Sequence, residues 1–485
     1  MSTPSRGGRR IADRRTPRTP RSRPDRSVTT AVVLLVVAAA SVALTRGEQP
    51  AVVVGGTEGA LVDRTQLSCP ATSLPDMTGR GVRTQAFAGL VADDEAGEAL
   101  GDGGTVGAGP TGGEPTDLEL ARGEQVPVDD AVDGPFLDAA GERAAGLFGF
   151  RTDASGTAAA VGACVAPRSS WWFSGLGADL DHSSQLVLSN VDPGPAVVDV
   201  TVFGPDGEID TVGTRGITVA AGETTTISLA DVAPQTRELM VSVQASRGRI
   251  AVAASDRYAA GAAAPVGFEW VGGAPLPTRT VRLAGVPAAA ATKTLLVGNP
   301  SDSEALLEVE VAGSGGSFVP TDLDQVSVAP GTVETVDLSD VLPRREAVAV
   351  RVRAQVPVVA SLRAASRPDL TYADMTAPLV GPAAAPVLGR GRATVQLTAG
   401  DVASVARVEG FDADGRSTGD DEVDVAATAT AAWRPARGTD YVVVRPVEGT
   451  VFGAVVYDDA PGLATAPLRS LPIRVRLPEV VPGPR

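Results

Sequence analysis

Apolar and polar positions alternate along most of the chain after residue 50. "VVDVTVFG", "TTTISLA", "LMVSVQA" and "RIAVAA" each alternate or run apolar for a few residues. They are rich in Val, Ile and Thr, and Gly, Pro and Asp punctuate them. That pattern predicts short strands joined by turns. No stretch holds a long helical period. "SLADVAP" and "DLSDVLP" read as a short helical turn between strands. Roughly seven strands in about 100 residues match the size of a two-sheet immunoglobulin-like sandwich.

The pattern also repeats. "LLVGN" ends at Asn299, 109 positions after "LVLSN" ends at Asn190. At that offset "VDVTVFGPDG" lies over "LEVEVAGSGG", pairing Val200 with Val309 and Gly207 with Gly316. Leu229 falls on Leu338, Pro234 on Pro343 and Val241 on Val350. So many matches at one offset indicate an internal duplication. A fainter third copy runs through "TVQLTAG", "VARVEGFDADG" and "YVVVRPVEGTVFGAVVY". The expected units are a disulfide-containing β unit at 50–168 and repeats at 169–265, 266–378 and 379–485. The fold class expected is mainly β: tandem immunoglobulin-like β-sandwich repeats, arranged as a rod, after one N-terminal transmembrane helix.

Val28 to Leu44 carries no charge. Seventeen residues at 1.5 Å each span roughly 26 Å, just enough to cross a bilayer. Nine Arg precede the run. The positive-inside rule then places residues 1–27 as a basic cytoplasmic tail, 28–45 as a transmembrane helix or signal anchor, and the bulk outside the cell membrane. A cleaved signal peptide is the rival reading, since Ser41 and Ala43 suit a cleavage site.

Composition refines this picture. Residues 1–46 hold ten Arg and two Asp, a net of +8; the whole chain is −16, so the remainder carries −24. An acidic body of that kind argues against a nucleic-acid partner. Aromatics are only 4% of residues, so the cores must be built from Val, Leu and Ala. Cys69 and Cys164 are the only cysteines, and outside the membrane they are expected to form a disulfide.

Several short motifs carry potential chemistry. "GRSTG" (Gly415 to Gly419) has the letters of a serine-hydrolase elbow. That chemistry needs a strand-to-helix turn and a nearby His, and here a polar hairpin loop is expected instead. "DADGRSTGDDE" offers oxygen ligands, but matching loops in the other copies are plain tight turns. Between Asp93 and Asp133 lie twelve acidic residues and one base, Arg122. This Gly-rich stretch reads as a mobile loop, with a weak cation site as the alternative. The sole His, His182, sits between Asp181 and Ser183, without a second His to share a metal. Trp171 and Trp172 open the second unit, and Trp270 holds the comparable place at the start of the third. Packing at a domain seam is the favoured role for Trp171, Trp172 and Trp270, with partner or sugar contact as the alternative; for His182 a surface or strand-entry position is favoured, with a seam, contact, base or metal-ligand role as the alternative. No cofactor, metal or catalytic residue is indicated.

"CVAPRSSWWFSG", "HSSQLVLSN" and "VTVFGPDG" resemble an actinobacterial family of single-pass cell-envelope proteins with a repeated β domain of unknown function. The resemblance implies a neighbourhood of envelope polysaccharide synthesis, and no known activity. The expected function is a non-catalytic, membrane-anchored envelope scaffold with an envelope protein partner, a glycosyltransferase of that machinery being one candidate. One alternative is a cell-wall glycan-binding module that stacks sugars on exposed Trp. Another is a carboxylate-dependent hydrolase.

Overall fold

The computed structural model describes residues 59–71, 83–129, 134–154, 158–258, 267–321, 323–366, 369–388, 393–458 and 462–475. The basic tail and the Val28–Leu44 run lie outside the described residues. Among the described residues no helix is long and apolar enough to cross a membrane.

The chain from Gly59 onward is mainly β and holds four two-sheet units within one compact body. Alternation builds each unit directly. In Ala196–Gly204, Ala196, Val198, Val200 and Val202 are buried, while Val197, Asp199 and Thr201 are partly exposed. Turning one face inward in this way lets Val and Leu of two sheets share a core.

In the second unit one sheet runs Ser170–Leu176, Leu239–Arg247, Ala196–Gly204, Gly207–Ile209. Its partner runs Thr224–Ser228, His182–Ser189, Ala251–Tyr258, Gly267–Val271. All neighbours are antiparallel. The other three units repeat this strand order, including the first, whose sequence shows no obvious repeat. The short helical turn is present at Leu229–Val232, and in the third unit Leu342 donates to the Leu338 carbonyl at the matching place.

The duplication extends to individual side-chain hydrogen bonds. Asn190 Nδ2 donates to the carbonyls of Gly194 and Val219, and Asn299 Nδ2 to those of Ser303 and Val328. Each acceptor in the second set lies 109 positions after its counterpart. Both Asn side chains thus pin the same turn, one per copy.

The strand order departs from the immunoglobulin-like expectation. An immunoglobulin sandwich keeps its first two strands together in one sheet. Here the first strand lies beside the sixth, and the seventh joins the second in the opposite sheet. The third unit shows why: Val348–Ser366 is one continuous strand paired in both sheets. The chain passes straight from one sheet to the other instead of folding back. In the second unit Gly248, at φ 72°, interrupts the same path. Its counterpart at the offset is Pro357, which cannot take that conformation, and the strand continues.

Two further expectations change. Gly267–Val271 pairs with Ala251–Tyr258, so it closes the second unit instead of opening the third. Trp270 therefore has no place comparable to Trp171, which lies in a first strand. The acidic Gly-rich stretch is ordered over its described part. Gly104–Pro110 is a sheet strand with Val106 and Ala108 buried. Arg122 ties its approaches together by donating to the carbonyls of Gly101, Ala145 and Glu142.

The units form a closed body, not a rod. The last strand of each unit packs near the centre: Ala159–Ala163, Gly267–Val271, Asp369–Ala373 and Ala464–Pro467. Phe148 and Phe150 of the first unit share a core with Tyr441 and Val444 of the fourth. Ala60–Leu61 pairs with Arg474–Val475, joining the start of the described chain to its end. Gly112 and Gly222, both at positive φ, bring the first and second units together backbone to backbone.

Candidate functional site

Two of the four central strands carry buried carboxylates, Glu269 and Asp369, a third, Asp374, directly follows the strand Asp369–Ala373, and each binds across a seam. Asp369 opens the strand Asp369–Ala373 in the third unit. Its Oδ2 accepts the amide of Ala159 in the first unit at 3.0 Å and that of Leu463 in the fourth at 2.8 Å. Burial pushes the carboxyl up to about 7, against the opposing pull of the amides of Ala159, Leu463, Leu370 and Phe268. Backbone groups from all four units thus converge on one side chain.

Glu269 of the second unit accepts the Val161 amide at 3.0 Å and the Thr371 hydroxyl at 2.7 Å. Burial raises its pKa well above the ordinary carboxylate range. Asp374 accepts the Gly272 amide at 2.6 Å, and burial pushes it up to about 7 against the pull of Gly272 and Arg469.

His182 belongs to a second buried cluster. Its Nδ1 lies 3.0 Å from Asp256 Oδ2. Ser184 donates to Asp256 Oδ1 at 2.7 Å, and the hydroxyl of Tyr372, from the third unit, lies 2.8 Å from Oδ2. Burial pushes Asp256 up, but His182, Ser184 and Tyr372 together hold it below its ordinary value. The letters are those of a Ser-His-Asp triad, yet the connectivity is not. Ser and His both bond the carboxylate, whereas nucleophile activation needs Ser on His. Arg363 adds a bidentate pair with Glu238, at 3.1 and 3.0 Å, across the same seam. Sequence separation hid this cluster: Tyr372 lies 116 positions from Asp256.

The tryptophans divide. Trp171 is wholly buried, its Nε1 donating to the Ile250 carbonyl at 2.8 Å, with Arg168 over its ring. Trp270 is buried beside Phe268, and its Nε1 donates to Asp153 of the first unit at 3.3 Å. Asp153 is itself held by Arg151 at 2.9 Å. Trp172 is partly buried against Phe203 between the second and third units. Sugar-stacking on Trp171 and Trp270 is therefore corrected: sheet and seam cover their faces.

Cys69 and Cys164 form the expected disulfide. It joins the strand region after Arg64–Ser68 to the end of the first unit. Ser417 of "GRSTG" begins Ser417–Val425 in a β-hairpin with Ser404–Phe411, far from the His182 cluster. In the adjoining acidic loop Arg416 pairs with Asp412 and Asp414.

Beside the disulfide, between the first and fourth units, lies a cavity of about 240 Å3. Leu67, Leu147, Phe148, Phe150 and Leu471 line it, with Arg168 and Arg469. A smaller cavity shares Arg469 and reaches Trp171, Trp270 and Asp374.

Residues 135–436, spanning parts of all four units, match a family described as Family of unknown function (DUF5719). The chain belongs to this family. The matched region begins at Pro135–Gly141 in the first unit and ends just after Thr430–Trp433 in the fourth. The family thus takes in the whole set of central seams except the strand Ala464–Pro467. No curated protein matches the chain.

Proposed function

We propose that the protein is a non-catalytic scaffold of the cell envelope, anchored by Val28–Leu44 and displaying its β body outside the membrane. One observation carries this reading: the side chains best suited to chemistry are spent on joining units. Asp369, Glu269 and the His182–Asp256–Tyr372 cluster each bridge a seam. A body held so firmly at its centre suits the display of a fixed outer surface. The disulfide fits an oxidising compartment. A membrane-associated protein of envelope polysaccharide synthesis is the partner in this reading.

The test is crosslinking of the full chain in its native membrane, followed by purification and mass spectrometry. Specific enrichment of such a protein, relative to an unrelated anchored control, is expected. Equal recovery from both baits would overturn the reading, as would glycan turnover by the purified chain.

A further inference from the structure

The cavity between the first and fourth units combines two features that point to one ligand chemistry. Its walls are largely apolar, with Leu67, Leu147, Phe148 and Leu471 among them. Its polar groups include two guanidiniums, those of Arg168 and Arg469. Arg168 lies over the Trp171 ring, 5.0 Å from its centroid. Among the described residues, neither guanidinium forms a close ion pair with a carboxylate.

Burial lowers the pKa of both arginines, and Arg168 lowers that of Arg469 further. Asp374 offsets part of this for Arg469, but its hydrogen bond goes to the Gly272 amide. Two like charges thus stand close together at an apolar cavity, inside a chain of net charge −16. An anion between them would relieve the repulsion and accept several guanidinium hydrogen bonds. The acidic surroundings give a bare anion little attraction, so an apolar portion must contribute too.

We propose that this cavity binds a small amphiphilic anion, an apolar chain with a single carboxylate or phosphate head. An apolar cavity of about 150 Å3 accommodates benzene. The 240 Å3 here therefore suits a chain of about six to ten carbons. The head lies at Arg168 and Arg469 and the chain along Leu147 and Phe148. This site does not depend on the scaffold reading.

The test uses the full chain in lipid nanodiscs, with empty nanodiscs as the blank. Octanoate, octyl phosphate, octanol and inorganic phosphate are titrated calorimetrically. Saturable one-to-one binding of octanoate, octyl phosphate or both is expected. The responding anion identifies the head as carboxylate, phosphate or either. Arg469→Gln and Arg168→Gln should each weaken that binding about tenfold or more, with octanol unaffected. Arg469→Lys should retain part of it. Unchanged melting temperatures show that the variants remain folded. If either Gln variant melts early, the wild-type ligand series decides alone. The proposal is overturned if neither octyl anion binds above the blank, if folded Gln variants bind as tightly as wild type, or if inorganic phosphate binds as tightly as octyl phosphate.

Discussion

Asp369 of the third unit accepts the Ala159 amide of the first at 3.0 Å, across the centre of the molecule. The same oxygen holds Leu463 of the fourth unit. A carboxylate that binds three units in this way has consequences for pH. Its pKa is raised to about 7, as is that of Asp374. The folded state then holds the proton more tightly than the unfolded chain. Stability from each group is fully present below about pH 4 and is lost as pH rises to about 7. The loss is about 4 kcal/mol per group. Asp94, Glu310 and Asp401 act oppositely, since their pKa values are lowered and their contribution fades in acid. Thermal melting should therefore peak on the acid side of neutrality. Asp369→Asn should make the decline between pH 4 and pH 7 shallower, with Asp374 and Glu269, whose pKa values are also raised, supplying the rest. A decline as steep as wild type would contradict this assignment.

Tyr372→Phe should destabilise the protein by about 1–3 kcal/mol, because it removes a buried hydroxyl from Asp256 and from the Gly175 carbonyl. Urea unfolding of the variant measures the loss. Ring packing is kept, so a loss near zero would mean that the hydroxyl does not tie the second and third units.

Removing the disulfide by Cys69→Ser with Cys164→Ser should lower stability by as much as about 4–5 kcal/mol on the chain-entropy account. The crosslink encloses a loop with a sequence separation of 95. Chemical unfolding of the variant against the oxidised wild type checks this. A variant as stable as wild type would refute a stabilising crosslink.

Gly222→Ala should loosen the seam between the first and second units. Gly222 has φ 72°, and an added Cβ would press on the Cα of Gly112. Strain of about 1–3 kcal/mol is expected, with faster hydrogen exchange near both glycines. Gly213→Ala is the comparison: its φ is also positive, at 80°, but the space around it is open. Equal effects of the two substitutions would show that backbone conformation, not the seam, sets the loss.

Much of the local structure was legible because alternation and turn chemistry are local signals. The offset joining Asn190 to Asn299 located two copies, and both Asn side chains do the same work. In the fourth unit Gly400 occupies the matching turn, which explains why that copy is faint. The first unit carries neither the offset nor the Asn, yet it keeps the strand order. Strand order is set by which apolar faces meet, and many sequences satisfy that. The site was harder still. Asp369 looks like any strand-edge acid until Ala159 and Leu463 arrive from positions 210 and 94 residues away. Sequence alone does not place Trp270, because a strand that closes one unit and a strand that opens the next share one apolar pattern.

The pairing of Ala60–Leu61 with Arg474–Val475 brings the two ends of the described chain to one spot. Tension applied between those ends would load this short clasp first. The four units behind it would feel little until it parted. From Gly59 onward the units would therefore respond to a pull as one closed loop, not as a string of beads that lengthens one bead at a time.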